Sequence, residues 1–330
     1  MLILTDDVGI LQHARETVPD RSHGYCTDDV TRALIVMLVR LRQNSERDAM
    51  RLASTYLAFL RHAQLDDGRF HNFMSYERTW LDETGGQDSF GRAIWALGYT
   101  LRYAPRKSWR RLAAAMLDRA LTHAERLEFP RSQAYAMLGL AHAVDAKPTP
   151  ERTQLLRSLA QSLATLYERE RSAEWEWFEP MMTYDNARLP EALLRAAAAL
   201  GDDHLQTIGR RTLGFLERVV FEDGIFVPVG NDGWLRRGGP RARFAQQPLE
   251  AAAMVDAELA ACDVSFKSAK AAHRAAARAA AAWFDGKNLL GIRMAHGGGC
   301  YDGLERNGPN RNMGAESTLA YLAAAGRIQE

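Results

Sequence analysis

Carboxylates, arginines, amides and indoles recur in this chain at one kind of place, just before or within the first turn of a helix-like segment. The run Gly24-Tyr-Cys-Thr-Asp-Asp-Val-Thr-Arg32 holds Asp28, Asp29 and Arg32. A second place holds Asp88 and Arg92, and a third Arg131. The run Glu174-Trp-Glu-Trp-Phe-Glu-Pro180 mixes Glu179 with Trp175 and Trp177, and leads into Tyr184, Asp185, Asn186 and Arg188. Gln246, Gln247 and Glu250 open a later segment, and Asn312 and Glu316 the last. Helix starts carry unsatisfied N–H groups and positive potential, so they hold carboxylates and polar ligands well. Each residue also has a structural reading, because Asp and Asn are ordinary helix caps and a lone Trp is commonly core. Taken together, planar rings interleaved with carboxylates, arginines and amides suit the faces and hydroxyls of a sugar. Cleavage of a glycosidic bond needs one carboxyl to protonate the leaving oxygen and another to activate water or attack the sugar. Asp88 and Glu179 are the leading pair, with Asp28 in reserve. Asp29, Arg32, His71, Arg92, Trp175, Trp177, Tyr184, Asn186, Arg188, Gln246, Gln247, Asn312 and Glu316 are the candidate binding residues. Whether such a pair would invert or retain depends on a distance that sequence does not give.

The elements that must position these residues are helices. Apolar spacing predicts them near 28–43, 47–63, 88–103, 108–125, 131–145, 151–170, 187–200, 203–220, 247–262, 266–285 and 314–325. The segment Asp6–Thr17 could supply a twelfth. Six of them share one pattern, a polar start followed by a run rich in small and apolar residues. They begin at Asp28, Asp88, Arg131, Asn186, Gln246 and Gly314, and a more charged helix lies between each pair. A period of that length holding two helices marks an array of helical hairpins. Loop lengths vary more than an open solenoid tolerates, and small residues suit a crowded inner ring. The expectation is a single all-α domain over 1–330, an (α/α)6 toroid with one or two short β-hairpins on its rim. Two stretches, DDGRF from Asp66 and EDGIF from Glu222, read as those hairpins. Strand-like alternation is otherwise absent.

Bulk composition narrows the remaining classes. Of 330 residues, 47% are hydrophobic and 25% charged, a balance typical of a folded domain. A net charge of +1 gives no electrostatic case for nucleic acid or an anionic membrane surface. The start has no basic leader, and no apolar run is long enough to span a bilayer. The three cysteines are far apart and odd in number, which favours free thiols and a cytoplasmic setting. The nine histidines show no HExxH pattern and no tight Cys/His group, so no metal and no cofactor are expected. His71 and His296 fall in loops near the helix starts, where each could act as an acid/base group or be an ordinary polar loop residue.

The motifs GYCTDDVTRAL, QDSFGRAIWALG, WEWFEPMMTYDNARLPEALL and NRNMGAESTLAYL, spread over nearly the whole chain, resemble the six-hairpin glycosidase superfamily of (α/α)6 toroids. More narrowly, they resemble a bacterial toroid family associated with group 1 glycosyltransferases in polysaccharide loci. The resemblance implies the fold and a carbohydrate context, with an oligosaccharide or polysaccharide as ligand and a glycosyltransferase as partner. It carries no catalytic assignment, since toroid relatives include hydrolases, phosphorylases, lyases and epimerases. A glycoside hydrolase is the leading expectation. The alternatives are a non-catalytic glycan-binding or scaffold partner of a glycosyltransferase, and a sugar epimerase or phosphorylase. An epimerase would lean on His71 or His296 instead of a carboxylate pair.

Overall fold

The computed structural model describes residues 1–44 and 46–329. Six helices fill the first half: α1 (Thr27–Gln43), α2 (Arg47–Ala63), α3 (Gln87–Tyr103), α4 (Lys107–Ala124), α5 (Pro130–Ala146) and α6 (Pro150–Glu170). Five follow: α7 (Arg188–Leu200), α8 (Asp203–Val220), α9 (Pro248–Asp263), α10 (Lys267–Ala281) and α11 (Ala315–Ile328). The chain divides into two units, Met1–Ala160 and Gln161–Glu330, with α6 running through the division. No helix among the described residues is long and apolar enough to cross a membrane.

Burial separates the helices into the two kinds that the sequence pattern anticipates. In α9, 14 of 16 residues are buried, whereas in α10 only Ala277 and Ala280 are, so α9 is enclosed all round and α10 faces water. The charged helices bury one stripe. In α2 it is Leu52, Tyr56, Leu57 and Leu60, and in α8 it is Leu205, Ile208, Thr212, Leu213 and Leu216. Their spacing is that of a single helical face. Helix ends follow local chemistry. Asp202 caps α8 by accepting from the His204 and Leu205 amides, at 3.0 and 3.1 Å. Gly201 ends α7 with φ 66°, a left-handed turn that a side chain would strain.

In the first unit the enclosed helices α3 and α5 meet backbone to backbone. A Cβ on Gly91 would stand 2.5 Å from the Ser132 carbonyl oxygen, and one on Gly98 would collide with the backbone of Gly139. Small residues are therefore a steric condition of this pairing, as the six-fold small-residue pattern implies.

The N-terminal segment is a correction. Asp6–Thr17 is not a helix: Leu11–Arg15 is a strand, antiparallel to Val18–Cys26, which in turn pairs Tyr25 with Met74 and Cys26 with Phe73. Glu16, at φ 55°, makes the turn. Strands also extend beyond the two expected places, in the antiparallel pairs Ala295–His296 with Gly299–Cys300 and Gly303–Glu305 with Gly308–Asn310. The two expected turns are present. Phe221–Glu222 pairs with Ile225–Phe226 around Asp223 and Gly224, whose φ values of 48° and 80° fit the tight hairpin turn favoured by Asp-Gly. Gln64 bridges Phe70 around the other. Beyond α10, Ala282–Asp285 tightens into a 3-10 turn.

Candidate functional site

Within the first unit the starts of α1, α3 and α5 are wired together through Arg92. Its Nη1 lies 2.8 Å from Asp28 Oδ1 and 3.9 Å from Asp88 Oδ2. Its Nη2 donates to the Tyr135 hydroxyl at 2.7 Å, with the guanidinium 4.2 Å from the centre of that ring. Asp88 Oδ1 accepts from Ser132 Oγ at 2.5 Å, and Asp28 Oδ2 from Asn72 Nδ2 at 3.1 Å. The Asp28 and Asp88 side chains keep 21% and 27% of their surface open, so a ligand can reach both. Asp29 is different: it is buried, pairs with Arg32 Nη1 at 2.8 Å and accepts from Cys26 Sγ at 3.1 Å. Neither aspartate caps α1. Cys26 is the cap residue, its sulfur accepting from the Asp29 amide.

The loop between α2 and α3 brings His71 to the same end. Thr27 donates from its amide to Asn72 O at 2.8 Å and from its hydroxyl to His71 O at 2.6 Å, which stitches the loop to the start of α1. The His71 ring stacks on Trp80, 4.7 Å between centroids and 14° between planes. Its Nδ1 lies 2.7 Å from the Asp82 carbonyl oxygen and 3.6 Å from Asp82 Oδ1. A carbonyl oxygen only accepts, so Nδ1 carries the proton and a neutral ring has its lone pair on Nε2. No hydrogen bond to His71 Nε2 is present among the described residues, and the side chain is 16% exposed. Asp82 Oδ2 in turn accepts from the Asn72 and Phe73 amides at 2.8 and 3.3 Å, so the residue that orients His71 is itself fixed.

Within the second unit Glu250, in the first turn of α9, accepts from the Asp185 and Asn186 amides and so holds the turn before α7. Several residues expected to bind a ligand instead build this support. Asn186 is buried, accepting from the Thr183 amide at 3.1 Å and donating to Thr183 O at 2.8 Å. Arg188 is buried among Glu191 (2.6 Å), Asp256 (2.8 Å) and Asp185 (3.5 Å), while Arg327 reaches the other oxygen of Asp256 at 3.1 Å. Burial disfavours the charge on Arg188, yet Glu191, Asp256 and Asp185 outweigh it and raise its pKa. Burial raises Glu191, the surplus acid of the group. Gln246 is fully buried, accepts from Trp283 Nε1 at 2.7 Å and pairs its main chain with Leu304.

Trp175 and Trp177 do not form an open sugar-stacking wall. They are 5% and 0% exposed, and Trp175 packs edge-on against Phe215 while its Nε1 donates to Glu179 O at 2.8 Å. Glu179, Tyr184, Gln247 and Glu316 are half-buried near helix starts of this unit. Asn312 donates to Asp302 Oδ2 at 3.1 Å. His296 is exposed, its Nε2 bonded to Arg293 O at 2.7 Å. The structure therefore brings together Asp28, Asp88 and Arg92, ties the main chain of His71 to the start of α1, and withdraws Asp29, Asn186, Arg188, Gln246, Trp175 and Trp177 into packing. Asn72, Asp82, Ser132 and Tyr135 were missed. Ser132 and Tyr135 follow Arg131 on the same helix start, so the position of that start was the available signal. Asp82 gave none.

No family model and no curated protein matches the chain. Solved structures do. A sugar epimerase from a ruminal bacterium is 13% identical, with a TM-score of 0.76 over 99% of this chain and 93% of that one. Cellobiose 2-epimerase from Bacillus thermoamylovorans is 12% identical, at 0.74 over 99% and 93%. An α-1,6-mannanase from a Salegentibacter species is 9% identical, at 0.66 over 99% and 94%. The chain has the (α/α)6 toroid fold of these six-hairpin proteins.

Proposed function

We propose that this chain is an enzyme acting on a sugar, an epimerase or isomerase that moves a proton beside the carbonyl of a reducing sugar, with His71 as the base. The observation that carries this reading is the tautomer of His71, whose Nδ1 is tied to Asp82 O while no described residue bonds Nε2 and the side chain is 16% exposed. A neutral imidazole held in that way is equipped to take a proton from carbon and return it. Arg92, Asp28 and Asp88 offer a guanidinium and two carboxylates for sugar hydroxyls and for charge on the carbonyl oxygen. Trp80 holds the imidazole plane. The likeness to two epimerases supports the chemistry as an analogy of fold.

A glycoside hydrolase is the second reading. It is favoured by the two part-exposed carboxylates Asp28 and Asp88 on one rim and by the likeness to a mannanase. For this reading Asp88→Asn and Glu179→Gln test separately the two carboxylates that the sequence pattern favours. Incubation with reducing mono- and disaccharides and with α-linked mannooligosaccharides, followed by chromatography, separates the readings. Epimer formation without chain shortening supports the first, and shorter oligosaccharides support the second. Binding with neither product would leave a glycan-binding partner of a glycosyltransferase and would refute both enzymatic readings.

A further inference from the structure

Helices α8, α9 and α10 hold a second group of polar side chains, within the second unit and away from the helix starts. Glu258 lies eight residues beyond Glu250, which at 1.5 Å per residue is about 12 Å along α9. It meets Glu217 near the end of α8 and His273 in the middle of α10. One donor atom from each lies within 4.8 Å of the other two. His273 Nδ1 is 2.7 Å from Glu258 Oε2 and 3.9 Å from Glu217 Oε1. The Glu258 side chain is 0% exposed, and its Oε1 is buried with no hydrogen-bond partner among the described residues. A buried carboxylate oxygen without a partner is costly, and native structures seldom keep one without a reason.

We propose that Glu217, Glu258 and His273 form a binding site for a divalent transition-metal ion, with Zn²⁺ the best fit. One imidazole nitrogen and two carboxylate oxygens are a zinc-type donor set, whereas Mg²⁺ prefers oxygen ligands and retains its water. Ligands 2.0–2.2 Å from a tetrahedral ion stand about 3.3 Å apart, and the observed separations of 2.7 and 3.9 Å fall on either side of that. The ion would give Glu258 Oε1 the partner it lacks. Entry is open, because Glu217 and His273 line a groove of about 280 Å³ that also meets Arg210, Ser265 and Phe266. A divalent ion would neutralise both carboxylates. The three residues lie on separate helices and far apart in sequence, which is why no spacing motif reveals them.

The test is calorimetric titration of the chelator-stripped full chain with Zn²⁺, with the thermal midpoint measured beside it. One saturable equivalent that raises the midpoint, with no response to Mg²⁺ at the same concentration, is the expected result. Glu258→Gln keeps the shape and a hydrogen bond to His273, and His273→Ala changes a largely covered but accessible surface position. Each should weaken Zn²⁺ at least about a hundredfold, beyond what loss of a supporting partner alone costs, with unchanged helical circular dichroism and sugar turnover. No saturable binding, equal binding of Mg²⁺, or wild-type affinity in either folded variant overturns the site.

Discussion

Replacing Arg188 with Met decides whether that residue is scaffold or ligand-binding. The guanidinium is 7% exposed and lies between Glu191 and Asp256, with contacts of 2.6 and 2.8 Å from the same Nη1. Methionine fills much of the volume but removes the cation, leaving two buried carboxylates facing each other. Breaking a buried ion pair from one side costs about 3–5 kcal/mol. Asp256 keeps Arg327 at 3.1 Å, so the loss should fall near the lower end, about 3 kcal/mol. At about 2 °C per kcal/mol for a chain of this size, the thermal midpoint should drop by about 6 °C. Urea unfolding followed by circular dichroism measures the loss directly. Adding Glu191→Leu to Arg188→Met removes one stranded carboxylate and should restore at least about 1 kcal/mol, because apolar replacements of buried pairs are often close to neutral. A loss below about 1 kcal/mol together with weakened sugar binding would show instead that Arg188 serves the ligand.

Trp177→Ala should cost about 3–5 kcal/mol in the same assay, since it empties a fully buried site. Trp175 and Trp177 would be ligand-facing after all if the variant lost sugar affinity and kept its stability. Gly98→Ala should destabilise by at least about 1–3 kcal/mol, because the added methyl group meets the Gly139 backbone instead of a flexible side chain. Asp28→Asn should lower sugar turnover about a hundredfold or more while the fold persists, as Arg92 then loses its charged partner at 2.8 Å. Steady-state kinetics checks this. Glu179→Gln should leave epimerisation near wild type, and a hundredfold loss of cleavage activity in that variant would instead favour the hydrolase reading.

The helices were legible because each enclosed one opens with a polar start and continues with small residues, and each exposed one carries a single apolar stripe. Those are local signals, and the helix at Asp203 or the turn at Asp223 needs nothing distant to form. The N-terminal hairpin was not legible. Its apolar residues fit either period, and the pairing of Tyr25 with Met74 that commits it to a sheet comes from a loop far along the chain. The Trp175 region held a signal that was misread. Glu174 is exposed and Glu176 intermediate, whereas Trp175, Trp177 and Phe178 are buried, so the apolar rings turn inward and the carboxylates stay toward the surface. At the site, residue type marked Asp28, Asp88, Arg92 and His71. It could not tell them from Asn186, Arg188 or Gln246, because a polar residue at a helix start serves equally as contact or brace until its neighbours are known.

If His71 is the base proposed above, it moves a proton to and from a sugar carbon. The most direct test is the rate at which deuterium enters the carbon beside the carbonyl of a converted reducing sugar in D₂O, followed by proton NMR. Exchange is expected in the wild-type protein and should fall at least about a hundredfold in His71→Asn, with sugar binding retained because Arg92, Asp28 and Asp88 are untouched. Undiminished exchange in that variant, or conversion of the sugar without any exchange, would contradict that role.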